Sequence, residues 1–310
     1  MSSLSQMPLI KGIWHSIRKR RILKKHRDVA LFWQSVIKAY DEGRIPEYEI
    51  GAKQDLDTDK IIWQYWGQGF QDENLPQIVS ICKDSVDRNR GEYKVIRLDD
   101  ASICDYLDLP NIVWEKLQNF PEFNRTFFSD LLRVALLKVY GGVWLDATIY
   151  LSGPLTEHLD QQAYFVYQRD PEEKYKRYWE GTYAYYWSWH PDFKVKMLSS
   201  IMFARKENEM FVVLLTLLLH YWYTEERIID YFFFQILYEE LVTGNLAHLK
   251  CPITSDVIPH QLQSKLSGGC EFVAYKDIFE RGTVHKMSYF DEKVMERVVE
   301  VLRPVATTIC

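Results

Sequence analysis

The sequence predicts an α/β fold with a Rossmann-like half, and three observations lead to this prediction. Short β-rich runs alternate with amphipathic helical segments over residues 60–146, in the order strand, helix, strand, helix, strand. That order is typical of parallel sheets covered by helices. Hydrophobic residues make up 47% and charged residues 26% of the chain, which excludes disordered, collagen-like and coiled-coil proteins. The length of 310 residues fits two domains, or one large α/β domain with an appended subdomain.

The predicted elements follow from local patterns along the chain. The β-rich run 60–66 stops at Gly67 and is the first strand. Leu75 and Pro76 open a helix, and 92–98 is a second strand. An amphipathic helix over 124–140 ends at two glycines, and an apolar strand follows at 143–146. The other predictions are a short helix capped by Asp99 and Asp100, a helix from Asn111, a continuation or turn at 147–151, strands at 164–168 and 202–204, and helices at 209–223 and 227–241.

Three segments are predicted from shifts in composition. Residues 1–58 form a basic, membrane-proximal helical segment and linker, because the stretch 41–58 is polar and contains Gly and Pro. Residues 59–290 form the main domain. Residues 291–310 form a C-terminal helix or tail.

The charge of the chain is uneven, although its net value is only −5. Residues 1–27 contain eight Lys or Arg and no acidic residue, so the remainder carries −13. An acidic body argues against nucleic acid as the main partner. Within residues 9–27, apolar residues recur at helical spacing and cations fill the other face, the pattern of a helix on an anionic membrane surface. Two alternatives stay open: a solvated helix packing on the body through Trp14 and Ile17, and a nucleic-acid arm.

The cysteines indicate a reducing compartment, and the apolar runs predict neither a secretory signal nor a membrane span. Five widely spaced cysteines contain no CxxC pair, which fits neither a disulfide framework nor a structural zinc site. The N-terminus has no apolar signal core. The longest apolar run, 211–219, is about half a membrane span and is predicted as a buried helix. No P-loop, HExxH or nucleophile-elbow motif is present in the sequence.

The stretch 128–148 carries the most chemical information. Asp130 and Arg133 stand at i and i+3 and share one helix face. Gly141 and Gly142 end that helix, and the next strand delivers Asp146 at its carboxyl end, where ligands bind in open α/β sheets. The stretch therefore predicts a polar site in an apolar frame. A salt bridge between Asp130 and Arg133, with Asp146 as a capping residue, is the simpler alternative.

This stretch resembles retaining sugar transferases with a GT-A fold, a group that includes glycosyltransferase family 32 and the clostridial glucosylating toxins. Within that group it is most similar to the bacterial capsular polysaccharide synthesis proteins, which carry Ser-Asp-x-x-Arg and then Tyr-Gly-Gly-x-Trp-Leu-Asp-Ala-Thr. The residues that match are Ser129, Asp130, Arg133, Tyr140, Gly141, Gly142, Trp144, Leu145, Asp146, Ala147 and Thr148. The first strand, 60–66, also resembles that of the family, and the resemblance extends over about 60–289. It implies a GT-A glycosyltransferase fold with additional helices.

The resemblance also implies catalytic and metal-binding roles. Asp130 and Arg133 would hold hydroxyls of the donor sugar, and Asp146 would be the first carboxylate of an Asp-x-Asp motif at the nucleotide diphosphate. Thr148 replaces the second carboxylate, and a hydroxyl is a weaker ligand for hard cations. A divalent metal, Mn²⁺ or Mg²⁺, would be held by Asp146, Thr148 and His285 and would stabilise the leaving diphosphate.

Further substrate contacts are implied by shorter matches. Lys286 would meet the diphosphate, unless it and His285 are ordinary surface residues. Tyr65 or Trp66 would stack on the uracil with Gln64 nearby, with aromatic core filling as the alternative. Asp230 would bind a hydroxyl of acceptor or donor, or else would only favour a helix N-terminus. The aromatic cluster 185–190 has sugar-stacking potential, although loop packing is the commoner role for such rings.

The resemblance implies hexosyl transfer with retention, from UDP-galactose or UDP-glucose to a polyprenyl-diphosphate-linked sugar during synthesis of a capsular repeat unit. The expected location is cytoplasmic, peripheral at the inner face of the plasma membrane, with residues 9–27 on the anionic surface. Two alternatives are a toxin-like protein glycosyltransferase and a non-catalytic membrane scaffold with a degenerate sugar-nucleotide pocket.

Overall fold

The structure, a computed structural model, describes residues 8–155 and 161–302, with side chains from residue 16 onward. Its strands are β1 (Gly51–Ala52), β2 (Ile61–Tyr65), β3 (Lys94–Leu98), β4 (Leu107–Asp108), β5 (Gly142–Leu145), β6 (Ile149–Leu151), β7 (Tyr164–Gln168), β8 (Met197–Ala204) and β9 (Val284–Lys286). Its α-helices are α1 (Pro8–Asp41), α2 (Gln77–Asn89), α3 (Asn111–Asn119), α4 (Arg125–Tyr140), α5 (Lys176–Thr182), α6 (Glu209–Thr224), α7 (Phe233–Thr243), α8 (Val257–Leu266), α9 (Tyr275–Arg281) and α10 (Glu292–Leu302).

Five strands form a central mixed sheet in the order β3-β2-β5-β8-β7. Strand β2 runs parallel to β3 and β5, with Trp63 opposite Trp144, whereas β8 runs antiparallel to both β5 and β7. Two short antiparallel pairs, β1–β4 and β6–β9, lie outside this sheet. The predicted α/β class and the parallel half are confirmed.

The central strands are covered on both faces. Every residue of β2, β5, β7 and β8 is buried, which explains why these strands are largely apolar rather than alternating. Helix α4 contacts β2, β5 and β8 and packs on α6, which contains the apolar run 211–219. That run is a buried helix, as predicted. Across the described residues, no helix has the length and hydropathy needed to cross a membrane.

Two predicted elements have different bounds in the structure. The strand predicted at 202–204 begins at Met197 and spans eight residues. The helix predicted at 227–241 begins only at Phe233. The Asp230 carboxylate accepts a hydrogen bond from the Phe232 amide at 2.8 Å, and such a local side-chain bond stabilises a turn in competition with the helix.

The N-terminal segment is more closely integrated with the body than a linker would be. Helix α1 continues to Asp41, and its second half buries Ile22, Val29, Trp33 and Ile37 in the main core. The Trp33 indole donates to the Phe233 carbonyl at 2.8 Å. In the polar stretch that follows, β1 pairs with β4. The side chain of Trp14 lies outside the described side chains, as do Cys310 and the rest of 303–310.

Candidate functional site

A cavity of about 760 Å³ opens beside the carboxyl end of β5. Its polar wall is built from helix α4, the residue after β5, strand β8 and the end of β9, and its opposite wall is built from α5, the loop after α5, and α8. The residues that line the polar wall include Asp130, Arg133, Asp146, Ser199, Ser200 and Lys286. The position agrees with the rule that ligands bind beyond the carboxyl ends of strands in open α/β sheets.

Helix α4 delivers a buried ion pair to this wall. Arg133 Nη1 donates to Asp130 Oδ1 at 2.5 Å, and both side chains are almost fully buried. Arg133 Nη2 donates to Ser129 Oγ at 2.9 Å. The Arg133 Nε–H is buried and has no hydrogen-bond partner among the described residues. A buried polar group without a partner is costly to the fold.

Two glycines position Asp146 relative to that pair. Gly141 and Gly142 have φ values of 75° and 98°, a region that side-chain-bearing residues rarely adopt. A Cβ on Gly142 would lie 2.6 Å from the Ile61 carbonyl oxygen. The chain therefore turns at once from α4 into β5, and Asp146 follows four residues later on the same side as Arg133.

The Asp146 carboxylate is held by three donors. Trp144 Nε1 donates to Oδ1 at 2.7 Å and Arg133 Nη2 lies 3.3 Å from the same oxygen, while Lys286 Nζ lies 3.4 Å from Oδ2. Burial raises the pKa of Asp146, but Arg133, Lys286 and the hydrogen bonds outweigh burial and bring it to about 2. Asp146 is therefore ionised at neutral pH.

For Asp130, burial outweighs the effect of the neighbouring positive charge on the pKa. Burial raises the pKa of Asp130 to about 7, against the lowering effect of the Arg133 charge and with a further contribution from the Asp146 charge. Two neighbouring carboxyl groups with pKa values so far apart are typical of functional sites. At neutral pH the Asp130 carboxyl can either accept or donate a hydrogen bond to a ligand hydroxyl.

The predicted metal site is not assembled in this arrangement. His285 and Lys286 are adjacent in β9, so their side chains point to opposite faces. His285 is fully buried, pairs with Ser152 Oγ at 2.9 Å and has its pKa lowered to about 3 by burial. It does not reach Asp146. Within the described parts of the chain, no cluster of three or more His, Cys, Asp or Glu could hold a metal ion.

Lys286 occupies the place that the metal was expected to take. Its Nζ donates to Thr148 Oγ1 at 2.7 Å and lies beside Asp146. Asp146 and Thr148, the other two expected metal ligands, are therefore already in contact with the ammonium group of Lys286. The donor set does not fit a divalent metal, and the predicted contact of Lys286 with the diphosphate stays a prediction.

The first-strand residues expected at the uracil do not line the cavity. Gln64 is fully buried and accepts from Arg97 Nε at 3.0 Å. Burial and the hydrogen bond to Asp100 raise the pKa of Tyr65, whose hydroxyl donates to Asp100 Oδ1 at 2.6 Å. Trp66 packs at the edge of a second hydrophobic cluster. Gln64 is thus a core residue, and the stacking role of Tyr65 or Trp66 stays a prediction.

Asp230 also lies outside the cavity. It lines a neighbouring groove beside α1, and its carboxylate caps the turn before α7. Burial raises its pKa, with the Phe232 amide and the Lys25 charge opposing this. The structure therefore separates Asp230 from Asp130, Arg133, Asp146 and Lys286.

Sequence reasoning missed the buried pair that supports the opposite wall. Arg169 and Asp256 are both buried, with Arg169 Nη2 3.0 Å from Asp256 Oδ2. The Tyr186 hydroxyl donates to the same carboxylate, and the Arg169 guanidinium lies over the Trp187 ring. Tyr186 and Trp187 belong to the aromatic cluster noted in the sequence, and both line the cavity. No local signal links residues 169 and 256, because they are far apart in the chain.

A family model described as "Capsular polysaccharide synthesis protein" matches residues 13–301. No curated protein matches the chain. A solved structure titled "PaToxG Glycosyltransferase" is similar with a TM-score of 0.35 and 14% identity, over 73% of this chain and 80% of that one. A similarity of that size does not establish a shared fold. The match to the family model spans nearly the whole chain, and the chain therefore belongs to the capsular polysaccharide synthesis protein family.

Proposed function

We propose that this chain is a retaining glycosyltransferase of capsular polysaccharide synthesis. The donor is UDP-galactose or UDP-glucose, and the acceptor is a sugar carried on a polyprenyl diphosphate at the inner face of the plasma membrane. Family membership supports the pathway. The motif resemblance around Asp146 supports the reaction type.

One observation carries the proposal. Asp130, Arg133, Asp146 and Lys286 meet on one wall of a large cavity, in contact with one another and beside hydroxyl-bearing and aromatic side chains. Polar groups converging in a cavity, with perturbed carboxyl pKa values, are the usual features of an active site. The opposite wall presents tyrosine and tryptophan rings, which are surfaces on which sugars stack.

The chemistry that such a site favours is departure of a diphosphate. As the bond from the anomeric carbon to the UDP oxygen breaks, negative charge develops on the diphosphate. Fixed cations that are held before the reaction stabilise that charge without reorganisation. Arg133 and Lys286 are such cations, because Asp146 holds both.

Retention results when the acceptor hydroxyl attacks the face from which UDP departs. The departing diphosphate then accepts the proton of that hydroxyl, and no protein nucleophile is needed. A double displacement with Asp130 or Asp230 as nucleophile is the alternative. Asp130 positions the donor sugar by hydrogen bonds to its hydroxyls. A pKa of about 7 lets its carboxyl act as donor or acceptor in those bonds.

The test is UDP release from UDP-galactose and UDP-glucose in the presence of a lipid-linked sugar acceptor. Asp146→Asn should lower kcat/KM by about 100-fold or more, because both cations lose their anchor. The exposed Asp84 on α2 offers a matched control, and Asp84→Asn should retain full activity. Full activity of Asp146→Asn, or no UDP release by the wild type with either donor, would overturn the proposal.

A further inference from the structure

A groove of about 540 Å³ adjoins the candidate active-site cavity and runs along helix α1. One side is the face of α1 that carries Arg18, Arg21 and Lys25. The other side is formed by the loop after α5, which contributes Tyr185, and by the turn before α7, which contributes Tyr231. The roles proposed for the catalytic cavity do not use this groove.

The groove and the cavity share part of their lining. Tyr183, Tyr231 and Phe232 line both spaces. Burial raises the pKa of Tyr231, and the Asp130 charge is the next contribution, so the phenol lies within electrostatic reach of the catalytic carboxyl group. A single ligand can therefore extend from the groove to the catalytic residues.

The groove is positively charged. Arg18, Arg21 and Lys25 stand at i, i+3 and i+7, so they share one helix face and span about 10 Å. Asp230 is the one carboxylate among the described residues that line the groove. Guanidinium groups bind phosphate oxygens in bidentate geometry. The row of cations therefore fits an extended anion such as a diphosphate.

The groove is also unusually apolar for an exposed surface. Ten large apolar or aromatic side chains are exposed in the described chain, and four of them, Ile17, Tyr183, Tyr185 and Tyr231, line this groove. Tyr231 is 58% exposed. Clusters of exposed apolar side chains mark binding surfaces. A free phosphate would not need these rings, and a neutral oligosaccharide would not need the cations.

We infer that this groove binds the carrier portion of the acceptor, a diphosphate attached to an apolar chain. The diphosphate contacts Arg18, Arg21 and Lys25, the first carbons of the chain lie against the tyrosine rings, and the sugar reaches past Tyr231 into the catalytic cavity. This inference rests on the proposed function, because it assigns the acceptor site of the same reaction.

The test uses farnesyl diphosphate as the probe and full-length protein, with affinity measured by calorimetry. Arg21→Gln/Lys25→Gln should weaken binding about tenfold or more, because two charge-assisted contacts are lost. Farnesol, which lacks the charge, and inorganic diphosphate, which lacks the chain, should each bind more weakly to the wild type than farnesyl diphosphate does.

Helix α1 offers a matched control. Arg20 and Lys24 have the same spacing and charge, are exposed, and do not line the groove. Arg20→Gln/Lys24→Gln should bind the probe as the wild type does. Equal weakening in both double variants, unchanged affinity in both, or no probe binding by the wild type would overturn the inference.

A second variant tests the apolar wall without altering charge. Tyr185→Ala should weaken farnesyl diphosphate binding several-fold and leave inorganic diphosphate binding unchanged, whereas Tyr223→Ala, an equally exposed tyrosine outside the groove, should change neither. Equal affinity of Tyr185→Ala and wild type for farnesyl diphosphate would remove the apolar wall from the inference. With a lipid-linked sugar as acceptor, the groove double variant should raise the acceptor KM more than it lowers kcat.

Failure of the proposed function and failure of the groove assignment would give different experimental results. A wild type that binds farnesyl diphosphate at the groove but releases no UDP from either donor would contradict the glycosyltransferase proposal alone. A wild type that releases UDP but shows no difference between the two double variants would contradict the groove assignment alone.

Discussion

Lys286 supplies a positive charge at the position where the sequence resemblance implied a divalent metal. Its ammonium group contacts Thr148 and Asp146, whereas His285 pairs with Ser152 instead of completing a ligand set there. A fixed cation beside a carboxylate can stabilise a departing diphosphate in the way a metal ion does. The arrangement favours a reaction that needs no added metal.

This gives a prediction for metal removal. UDP release by the wild type should persist in excess EDTA, and Lys286→Met should lower kcat by about 100-fold. The measurement is kcat with EDTA, with Mn²⁺ and with Mg²⁺. Lys286→Arg keeps the charge and should retain more activity than Lys286→Met. Loss of wild-type activity in EDTA, with recovery on adding Mn²⁺, would show that a metal displaces Lys286.

Asp130 gives a prediction for stability against pH. Its pKa is about 7 in the folded chain, above the ordinary value of 3.8. The folded state therefore binds a proton more tightly than the unfolded state, and this contribution to stability is lost as pH rises from about 4 to about 7. The Asp130→Asn variant has no titrating carboxyl group at this position, so its stability does not fall for this reason. The free energy of unfolding of the wild type relative to Asp130→Asn should therefore fall across this interval, by at most about 4 kcal/mol.

Urea unfolding at pH 5 and pH 8 measures the difference, with Asp84→Asn as a control for loss of a surface carboxylate. A wild type whose stability relative to Asp130→Asn does not change between these pH values would show that the Arg133 charge outweighs burial. The pKa of Asp130 would then lie at or below its ordinary value of 3.8, and the carboxyl group would be ionised in both states across this interval.

The residues of the site were predictable from sequence only where they are close in the chain. Asp130, Arg133 and Asp146 fall within seventeen positions, and helix spacing together with the two glycines determines where they meet. His285 and Lys286 could not be told apart, because the face that each presents depends on the pairing of β9 with β6. For the same reason, the face that Gln64 presents in β2 could not be determined from the sequence.

At the scale of elements, the cavity depends on a buried ion pair that joins the end of β7 to the start of α8. Arg169 donates to Asp256 and to the carbonyl groups of Tyr186 and Ser188. This network fixes the aromatic loop that forms the wall opposite Asp146.

Asp256→Asn should therefore destabilise the fold by about 3 to 5 kcal/mol, because it leaves the Arg169 guanidinium buried and unpaired. It should also raise the KM for the donor, since the aromatic wall loses its anchor. Urea unfolding and initial rates measure the two effects. Asp28→Asn, which breaks the exposed Lys24–Asp28 pair, is the matched control and should leave both nearly unchanged. A stable Asp256→Asn variant with an unaltered KM would contradict a supporting role for the pair.

The central elements were predictable because each carries its own signal. Strands β2 and β5 are fully buried, and strand β3 and helices α2 and α4 are buried in part. In each of them local pattern and tertiary packing agree. The start of α7 was predicted several residues too early, because the apolar sequence around the Asp230 turn resembles that of a helix. The pairing of β1 with β4 was missed, since two-residue strands have no periodicity.

At the scale of the whole molecule, helix α1 carries seven Lys or Arg within residues 18–27, whereas the rest of the chain has a net negative charge. The apolar residues Ile22, Val29, Trp33 and Ile37 face the core, so the main apolar face of this part of the helix is already packed against the body. Arg20 and Lys24 lie on its exposed face. Any attraction of this half of α1 to an anionic membrane must therefore be electrostatic rather than by insertion.

Electrostatic attraction predicts a salt-dependent interaction with vesicles. At low salt, Arg20→Gln/Lys24→Gln should bind phosphatidylglycerol vesicles roughly 30-fold more weakly than the wild type, at about 1 kcal/mol for each cation near the surface. The difference should vanish at about 0.5 M salt, where screening acts over a few ångströms. Co-sedimentation measures the binding, with phosphatidylcholine vesicles as the uncharged control. Equal binding of the variant and the wild type at low salt would mean that this face of α1 does not meet the membrane, and the cations of the groove would then act on the acceptor alone.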